Sequence, residues 1–443
     1  MICMKTRIKI LAAAAAFYAP AMLNAEVLNI KSTLELALKN DPEWSAIKHQ
    51  YAADKEIIPQ AQSGLLPNIS LSAQSAEETS EPDGQDRDSY HSESYTASLQ
   101  QPLLHLDAWH GYKQAKAIDQ QYDAGLKVEE QSFYLRVLET YLNVLKAKEN
   151  LAFRKAEEKS IERQLEQTTQ RHEVGLIAKT DVHEAQAAFD VSVVQRIIAD
   201  RDVVLALQNI ETLTGTSVTD VANLVADFPV MPPAPEASSH WTELALKQNY
   251  SLIAARQGEA SAEQNYKVLR SKHLPTLDLV GSYSKSNSDL ESVFSTSSNN
   301  TKRSSIALQL NVPIYSGGYA SANRRQAKEL HFKSQDDKRA TERNVVSATS
   351  NLLRVVQTNV QEVAAQKQVI KSAESALEAS QAGYEAGTRT IVDVLNTQRT
   401  LFSAKKDYAN ARFNFILNSA QLEELVGTLT SEDLIALNRW LAP

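Results

Sequence analysis

The sequence predicts a mainly α-helical chain that carries a pair of membrane β-hairpins, and three observations carry that prediction. Glycine supplies only 13 of 443 residues, against a usual ~7 %, so tight turns are few and long helices are favoured. Two stretches, Leu106 to about Arg171 and Tyr319 to about Glu385, contain no proline and little glycine; at 1.5 Å per residue each spans roughly 100 Å. Four short runs switch from the helical period to a period of 2. Ile69, Leu71 and Ala73 alternate with serines, Tyr95, Ala97 and Leu99 with Thr96 and Ser98, Leu277, Leu279, Gly281 and Tyr283 with polar neighbours, and Ile306, Leu308, Leu310 and Val312 with Ala307, Gln309 and Asn311. Such alternation is the mark of a strand with one apolar face, and places strands at about 67–75, 93–102, 275–285 and 304–313. Residues 76–93 and 285–304, dense in Ser, Asp, Glu and Asn, read as solvated hairpin loops.

The first element along the chain is a targeting segment, residues 1–25. Lys5, Arg7 and Lys9 form a basic start, Ile10 to Leu23 is apolar, and Asn24-Ala25 offers a small residue before a cut. Some 14 apolar residues are too few for a membrane anchor, which needs ~20. Removing three basic residues and no acidic ones takes the net charge from −8 to −11 and removes Cys3, the one cysteine. No later run reaches ~18 apolar residues. The mature chain is expected outside the cytoplasm, either soluble or inserted in a membrane as strands. Its acidity excludes an electrostatic footprint for nucleic acid.

The remainder repeats one plan. Glu35-Leu36-Ala37-Leu38-Lys39 recurs as Glu243-Leu244-Ala245-Leu246-Lys247, 208 residues later, and Leu66-Pro67 recurs at the same shift as Leu274-Pro275. Gly175, Asp181, Val182 and Gly215 meet Gly387, Asp393, Val394 and Gly427 at a shift of 212. The proline-rich stretch 229–238 divides a first repeat, 26–228, from a second, 239–443. Each half reads as helix, strand, strand, long helix, turn, returning helix. Pro42 to Ser63 and Tyr250 to Lys272 are the leading helices, each closed by Leu-Pro. The returning helices end at Gly215 and Gly427, as left-handed glycine stops do. Leu135, Leu138, Leu142 and Leu145 recur at three and four, which fits either an ordinary helix core or a seam between long helices.

Four strands cannot close a barrel, whose small end is about eight. Two chains would supply eight strands filled by side chains, and three would supply twelve, wide enough for a lumen. A polar face rich in Ser, Gln and Asn suits water inside, and an apolar face suits lipid outside. With the long helices bundled by the same symmetry, the result is a tube across an envelope. A soluble periplasmic coiled-coil scaffold is the alternative; it accounts for the helices but not for the strands. An enzyme is not expected. His172-Glu173 and His183-Glu184 lack the second histidine of a zinc helix, His105 and His110 share no helix face well, and no nucleophile elbow or phosphate loop is present. No cofactor and no resident metal are expected.

Four stretches tie the chain to a known family: Arg163 to Ala185 (RQLEQTTQRHEVGLIAKTDVHEA), His273 to Val280 (HLPTLDLV), Val312 to Gly318 (VPIYSGG) and Ala382 to Leu395 (AGYEAGTRTIVDVL). In these the chain resembles the TolC family of outer-membrane export channels over nearly its whole mature length. The resemblance implies a homotrimer. Its fold is a 12-strand β-barrel in outer-membrane lipid, continued by a long α-helical barrel through the periplasm, with a mixed α/β equatorial region at about 216–250 and 428–443. It implies the exit duct for multidrug efflux or type I protein secretion. A periplasmic adaptor (membrane fusion) protein and an inner-membrane translocase of RND, ABC or MFS type would open it.

The resemblance also implies site residues at the helix tips. Of the family's two aspartate rings at the pore constriction, the first falls on Asp393 and the second on Asn396, so one carboxylate ring is expected instead of two. Three Asp393 carboxylates around an axis would repel one another, favour cations and offer a site to a multivalent ion. The links of the aperture latch fall on Thr180, Asp181, Tyr384 and Arg389, with Asp181 and Arg389 an expected ion pair. Gly175, Leu176, Gly387 and Thr388 mark the two turns where the family meets its adaptor.

Overall fold

The computed structural model describes residues 27–80, 88–225, 228–292 and 295–442; the targeting segment 1–25 lies outside them. The first half begins with α1 (Ile30–Asn40), opened by a capping box in which Asn29 Oδ1 accepts from the Ser32 amide at 2.9 Å and Ser32 Oγ accepts from the Asn29 amide at 3.0 Å. α2 (Pro42–Asp54) starts on proline, with the Asp41 carboxylate accepting from Glu43 and Trp44 amides. The leading helix expected over 42–63 is in fact two, because α3 (Ile57–Ser63) begins after a break at Lys55 and Glu56. Pro59 explains the break: it has no amide to bond the carbonyl four residues earlier.

β1 (Asn68–Ser80) and β2 (Asp88–Leu104) follow, then α4 (Leu106–Glu173) and the returning α5 (Lys179–Thr214). A two-residue strand β3 (Asn223–Leu224) leads through the proline-rich stretch to α6 (Ser238–Gln248). The second half then repeats the first with α7 (Tyr250–Ser271), β4 (Thr276–Ser292), β5 (Ser295–Asn311), α8 (Tyr319–Glu385) and α9 (Ile391–Val426). It ends with α10 (Ser431–Leu437) and β6 (Leu441–Ala442). α4 and α8, at 68 and 67 residues, are each about 100 Å long.

The strands run well past the expected boundaries. β4 and β5 pair in register from Thr276–Asn311 to Ser292–Ser295, and β1 and β2 from Asn68–Gln100 to Ser80–Asp88. Most of the two segments read as solvated loops is therefore strand. The apolar alternation stops earlier than the pairing because only the lipid band, about 25 Å tall, demands apolar side chains. Beyond it, hydrogen bonds to the neighbouring strand satisfy the backbone whatever the side chains.

The four long strands form one antiparallel sheet in the order β1-β2-β4-β5, so the two hairpins join through β2 and β4. Register puts Ile69, Leu99, Gly281 and Ile306 in one row and Leu71, Ala97, Tyr283 in another on the same face. That face is bare: Ile69, Leu71 and Ile306 are 77, 79 and 83 % exposed. On the opposite face Ser70, Ser98, Ser282 and Ser305 form a row across all four strands, with Ser70–Ser98 and Ser282–Ser305 hydroxyl bonds of 2.6 and 2.8 Å. β1 and β5 are left as edges. No described helix is apolar and long enough to cross a membrane.

The main core sits halfway down the long helices. Phe133, Val137, Leu138, Tyr141 and Leu145 of α4, Leu353 and Val356 of α8, and Phe413 and Leu422 of α9 are all buried there, together with Ile30 and Leu34 of α1 and Leu434 of α10. β3 pairs antiparallel with β6, and Leu28 bridges Val221 in parallel. The two halves close this region in the same way. The Asn40 amide donates to the Thr214 carbonyl at the end of α5, 2.7 Å, and the Asn249 amide to the Leu425 carbonyl at the end of α9, 2.8 Å. A second, smaller core at the far tip joins Ile161, Ala185, Ala188, Tyr384, Ile391, Val394 and Leu395.

Candidate functional site

The sequence-derived site residues gather at this far tip, where α4 turns into α5 and α8 into α9. Gly175 and Gly387 hold φ of 79° and 75°. A Cβ at either would meet nothing, so it is the left-handed backbone that requires glycine there. The Leu176 amide returns to the Arg171 carbonyl at 2.9 Å and the Thr388 amide to the Gly383 carbonyl at 2.8 Å, the six-to-one bond of a helix stop. Leu176 and Val174 project outward, 68 and 70 % exposed. Thr388 turns its hydroxyl back to the Gly383 carbonyl, 3.1 Å.

Asp393 occupies the third position of α9 and closes a capping box. Its Oδ2 accepts from the Thr390 amide at 2.9 Å and from the Thr390 hydroxyl at 2.8 Å, while Thr390 Oγ1 accepts from the Asp393 amide at 3.3 Å. The Thr390 amide and hydroxyl, with a smaller contribution from Arg389, hold the carboxyl below the ordinary aspartate range. Asn396 lies three residues on, exposed, on the side of α9 away from buried Val394 and Leu395.

Within the single chain the expected Asp181–Arg389 pair is not formed. Arg389 instead approaches Asp393, with Nη1 4.0 Å from Oδ1. Asp181 accepts from the Thr180 hydroxyl at 3.4 Å. Tyr384 is buried in the tip core, its hydroxyl without a hydrogen-bond partner, and the Arg171 guanidinium lies 4.9 Å from its ring centre. The structure thus brings Arg389 to Asp393 and Thr180 to Asp181, with no ion pair from Asp181 to Arg389.

Three contributors escaped sequence reasoning. Thr390 was legible, since Thr-x-x-Asp before an apolar run is a capping box. Gly383 was not: a Cβ there would stand 2.6 Å from Arg389 Cγ, a clash set by the return of the turn over α8. Arg171 carried no signal either, because its partner is 213 residues away in sequence. Among the described residues no group of three or more His, Cys, Asp or Glu is arranged to hold a metal.

A bare apolar strand face backed by serines, mounted on helices about 100 Å long with narrow turns at their far end, defines the class: a membrane channel subunit built as a barrel and a helical tunnel. The chain belongs to the outer membrane efflux protein family, whose model matches residues 33–216 and again 241–428, and within it to the TolC family. It is 34 % identical to the outer membrane protein TolC of Vibrio cholerae over 93 % of this chain and 94 % of that one. It is 32 % identical to TolC of Escherichia coli over 94 % of this chain and 85 % of that one. The alkaline protease secretion protein AprF of Pseudomonas aeruginosa is 28 % identical, over 93 % of this chain and 87 % of AprF. Among solved structures, the Campylobacter jejuni CmeC outer membrane channel has a TM-score of 0.76 at 16 % identity, covering 98 % of both chains. The Vibrio cholerae outer membrane protein VceC has a TM-score of 0.76 at 14 %, over 90 % of this chain and 96 % of that one. The protein is an outer-membrane export channel of the TolC family with its helices in the periplasm.

Proposed function

We propose that three copies of this chain close their sheets into one 12-strand barrel, and that the helices below form a tunnel sealed at its tip until a periplasmic adaptor and an inner-membrane pump engage it. The observation that carries this reading is the sheet itself. Its two edge strands, β1 and β5, lack partners within the chain, and its lipid-suited face is fully outside. An unpaired edge in lipid is costly, so closure by further copies is required. Three copies bring twelve strands and a water-filled lumen, lined by the serine rows. The chain supplies the duct and no chemistry; the cargo is a drug, a secreted protein or both. A soluble periplasmic scaffold has no use for such a sheet.

At the tip, Asp393 and Asn396 face the axis as the constriction, and Asp181 of one protomer pairs with Arg389 of the next. Within a chain Asp181 meets Thr180 and Arg389 meets Asp393, which leaves the Asp181–Arg389 pairing to be made across chains. Each exposed pair contributes only ~0–1 kcal/mol, and threefold repetition makes a weak latch that a docking partner can release. The two turns, Gly175 and Leu176 of the first half and Gly387 and Thr388 of the second, supply the docking rim, with Leu176 exposed. The test is single-channel conductance of the purified channel in planar bilayers. Arg389→Ser and Asp181→Ala should each raise it severalfold; unchanged conductance in both would remove the latch.

A further inference from the structure

The outward face of the sheet carries one row that an apolar surface does not explain. Along β4 this face runs Leu277, Leu279, Gly281, Tyr283 and then Lys285; opposite them on β5 stand Leu310, Leu308, Ile306, Ser304 and Lys302. Lys285 and Lys302 are thus direct cross-strand partners, and both are exposed. Like charges in that position repel one another. Among the described residues neither lysine makes an ion pair. The Glu93 carboxylate, one row further out, instead lies 3.7 Å from His91 Nε2. Tyr95 on β2 pairs with Lys285 and continues the row to Ala73 on β1. Tyr95 and Tyr283 are 51 and 50 % exposed.

The height of this row says what it meets. Lys285 lies eight residues along β4 from Leu277, roughly 21 Å up at the usual strand tilt, at the upper margin of an apolar band about 25 Å tall. The helices leave the sheet at its Leu277 end, on the periplasmic side, so the lysines stand at the outer leaflet. Tyrosines at that level belong to an interfacial girdle. An ammonium group only donates, and the pair needs a ligand with several acceptor oxygens and a negative charge, which a phosphate supplies. A zwitterionic headgroup would bring its own cation against the two already there. We propose that each Lys285–Lys302 pair holds a phosphate of the outer-leaflet glycolipid, with Tyr95 and Tyr283 against its sugar and upper acyl chains. The proposal rests on the barrel reading, which turns this face to lipid. It adds which lipid group the barrel holds and by which residues.

The test is native mass spectrometry of the purified protein, delipidated and then mixed with diphosphoryl lipid A. The parent trimer should retain about three lipid molecules, one for each lysine pair. A lysine beside an anionic headgroup layer changes affinity about fivefold. Lys285→Gln and Lys302→Gln should each weaken retention by that factor and the double variant by more, while Lys285→Arg with Lys302→Arg keeps it. Millimolar inorganic phosphate should leave the lipid in place, which separates a headgroup site from a site for free phosphate. Unchanged retention in the double glutamine variant would overturn the proposal. So would displacement by inorganic phosphate, or phosphatidylglycerol binding as tightly as diphosphoryl lipid A. A fall in Tm shared by Lys285→Gln and Glu93→Gln in lipid-free detergent, with lipid retention intact, would also overturn it, since the lysine would then be serving Glu93. Conductance of the same protein in bilayers keeps the two readings apart. A parent protein that neither trimerises nor conducts fails as a barrel, whereas a conducting trimer indifferent to lipid A removes only the lipid site.

Discussion

At the second tip Thr390 satisfies the start of α9 and engages the Asp393 carboxylate. At the equivalent place in the first half stands Ala178, which has no side-chain acceptor, and α5 begins without a side-chain cap. Asp181, the repeat counterpart of Asp393, is thereby released from capping and left to meet a partner. Thr390→Ala should cost about 1 kcal/mol at the start of α9, visible as faster amide exchange at residues 390–394 with the rest of the helix unchanged. The pH dependence has a definite sign. Asp393 is held below its ordinary range in the folded state, so its contribution is present at neutral pH and is lost as pH falls through the folded value. Loosening of this tip in acid should therefore be weaker in Thr390→Val, which loses the hydroxyl bond to the carboxylate and keeps the amide bond. On the proposed reading of Asp393 as the constriction carboxylate, Asp393→Ala should lower cation preference, read as a shifted reversal potential in a salt gradient; an unaltered potential would count against the pore assignment.

The elements show which parts of the structure the residues announced. Gly427 holds φ of 87° with its α-carbon pressed against the end of α6, where a Cβ would stand 2.3 Å from the Gln248 carbonyl oxygen. Gly427→Ala should destabilise by ~2 kcal/mol or more, measured as a drop in Tm without loss of helix content at low temperature. Gly215, the corresponding stop, is less tightly held, with Asn40 Cβ at 3.3 Å, so its alanine variant should cost less. Both glycines were legible as helix stops, since each follows an uninterrupted helical run. The long helices were legible from the absence of proline, and the strand centres from period-2 alternation. Strand ends were not, because the polar residues of 76–80 and 286–292 pair as well as apolar ones but carry no periodic signal. Nor was the break at Pro59 read, although the proline stood in plain view.

At the scale of the whole molecule, a repeated hairpin and helix pair explains why one chain is incomplete. Two copies of the plan give four strands and two free edges, and the same bare apolar face on every strand demands lipid on one side and further strands at each end. The mid-length core, where each half tucks an asparagine under the stop of its own returning helix, forms a collar halfway along the long helices. It also carries a pH signature. Burial, reinforced by the neighbouring Asp433 charge, pushes Glu423 up to about 7. A carboxyl raised in the folded state holds its proton there between the ordinary glutamate range and pH 7, so stability falls as pH rises through that window and is lowest above it. Glu423→Gln should flatten this dependence and raise Tm at pH 8 relative to the parent protein.

The most direct measurement of the central claim is cryo-electron microscopy of the protein purified from outer membranes in detergent. The account predicts a threefold particle with a 12-strand barrel, β5 of one chain paired with β1 of the next, and a continuous central lumen running into a helical tunnel about 100 Å long. A single-chain particle with its sheet edges unpaired and no central opening would contradict it.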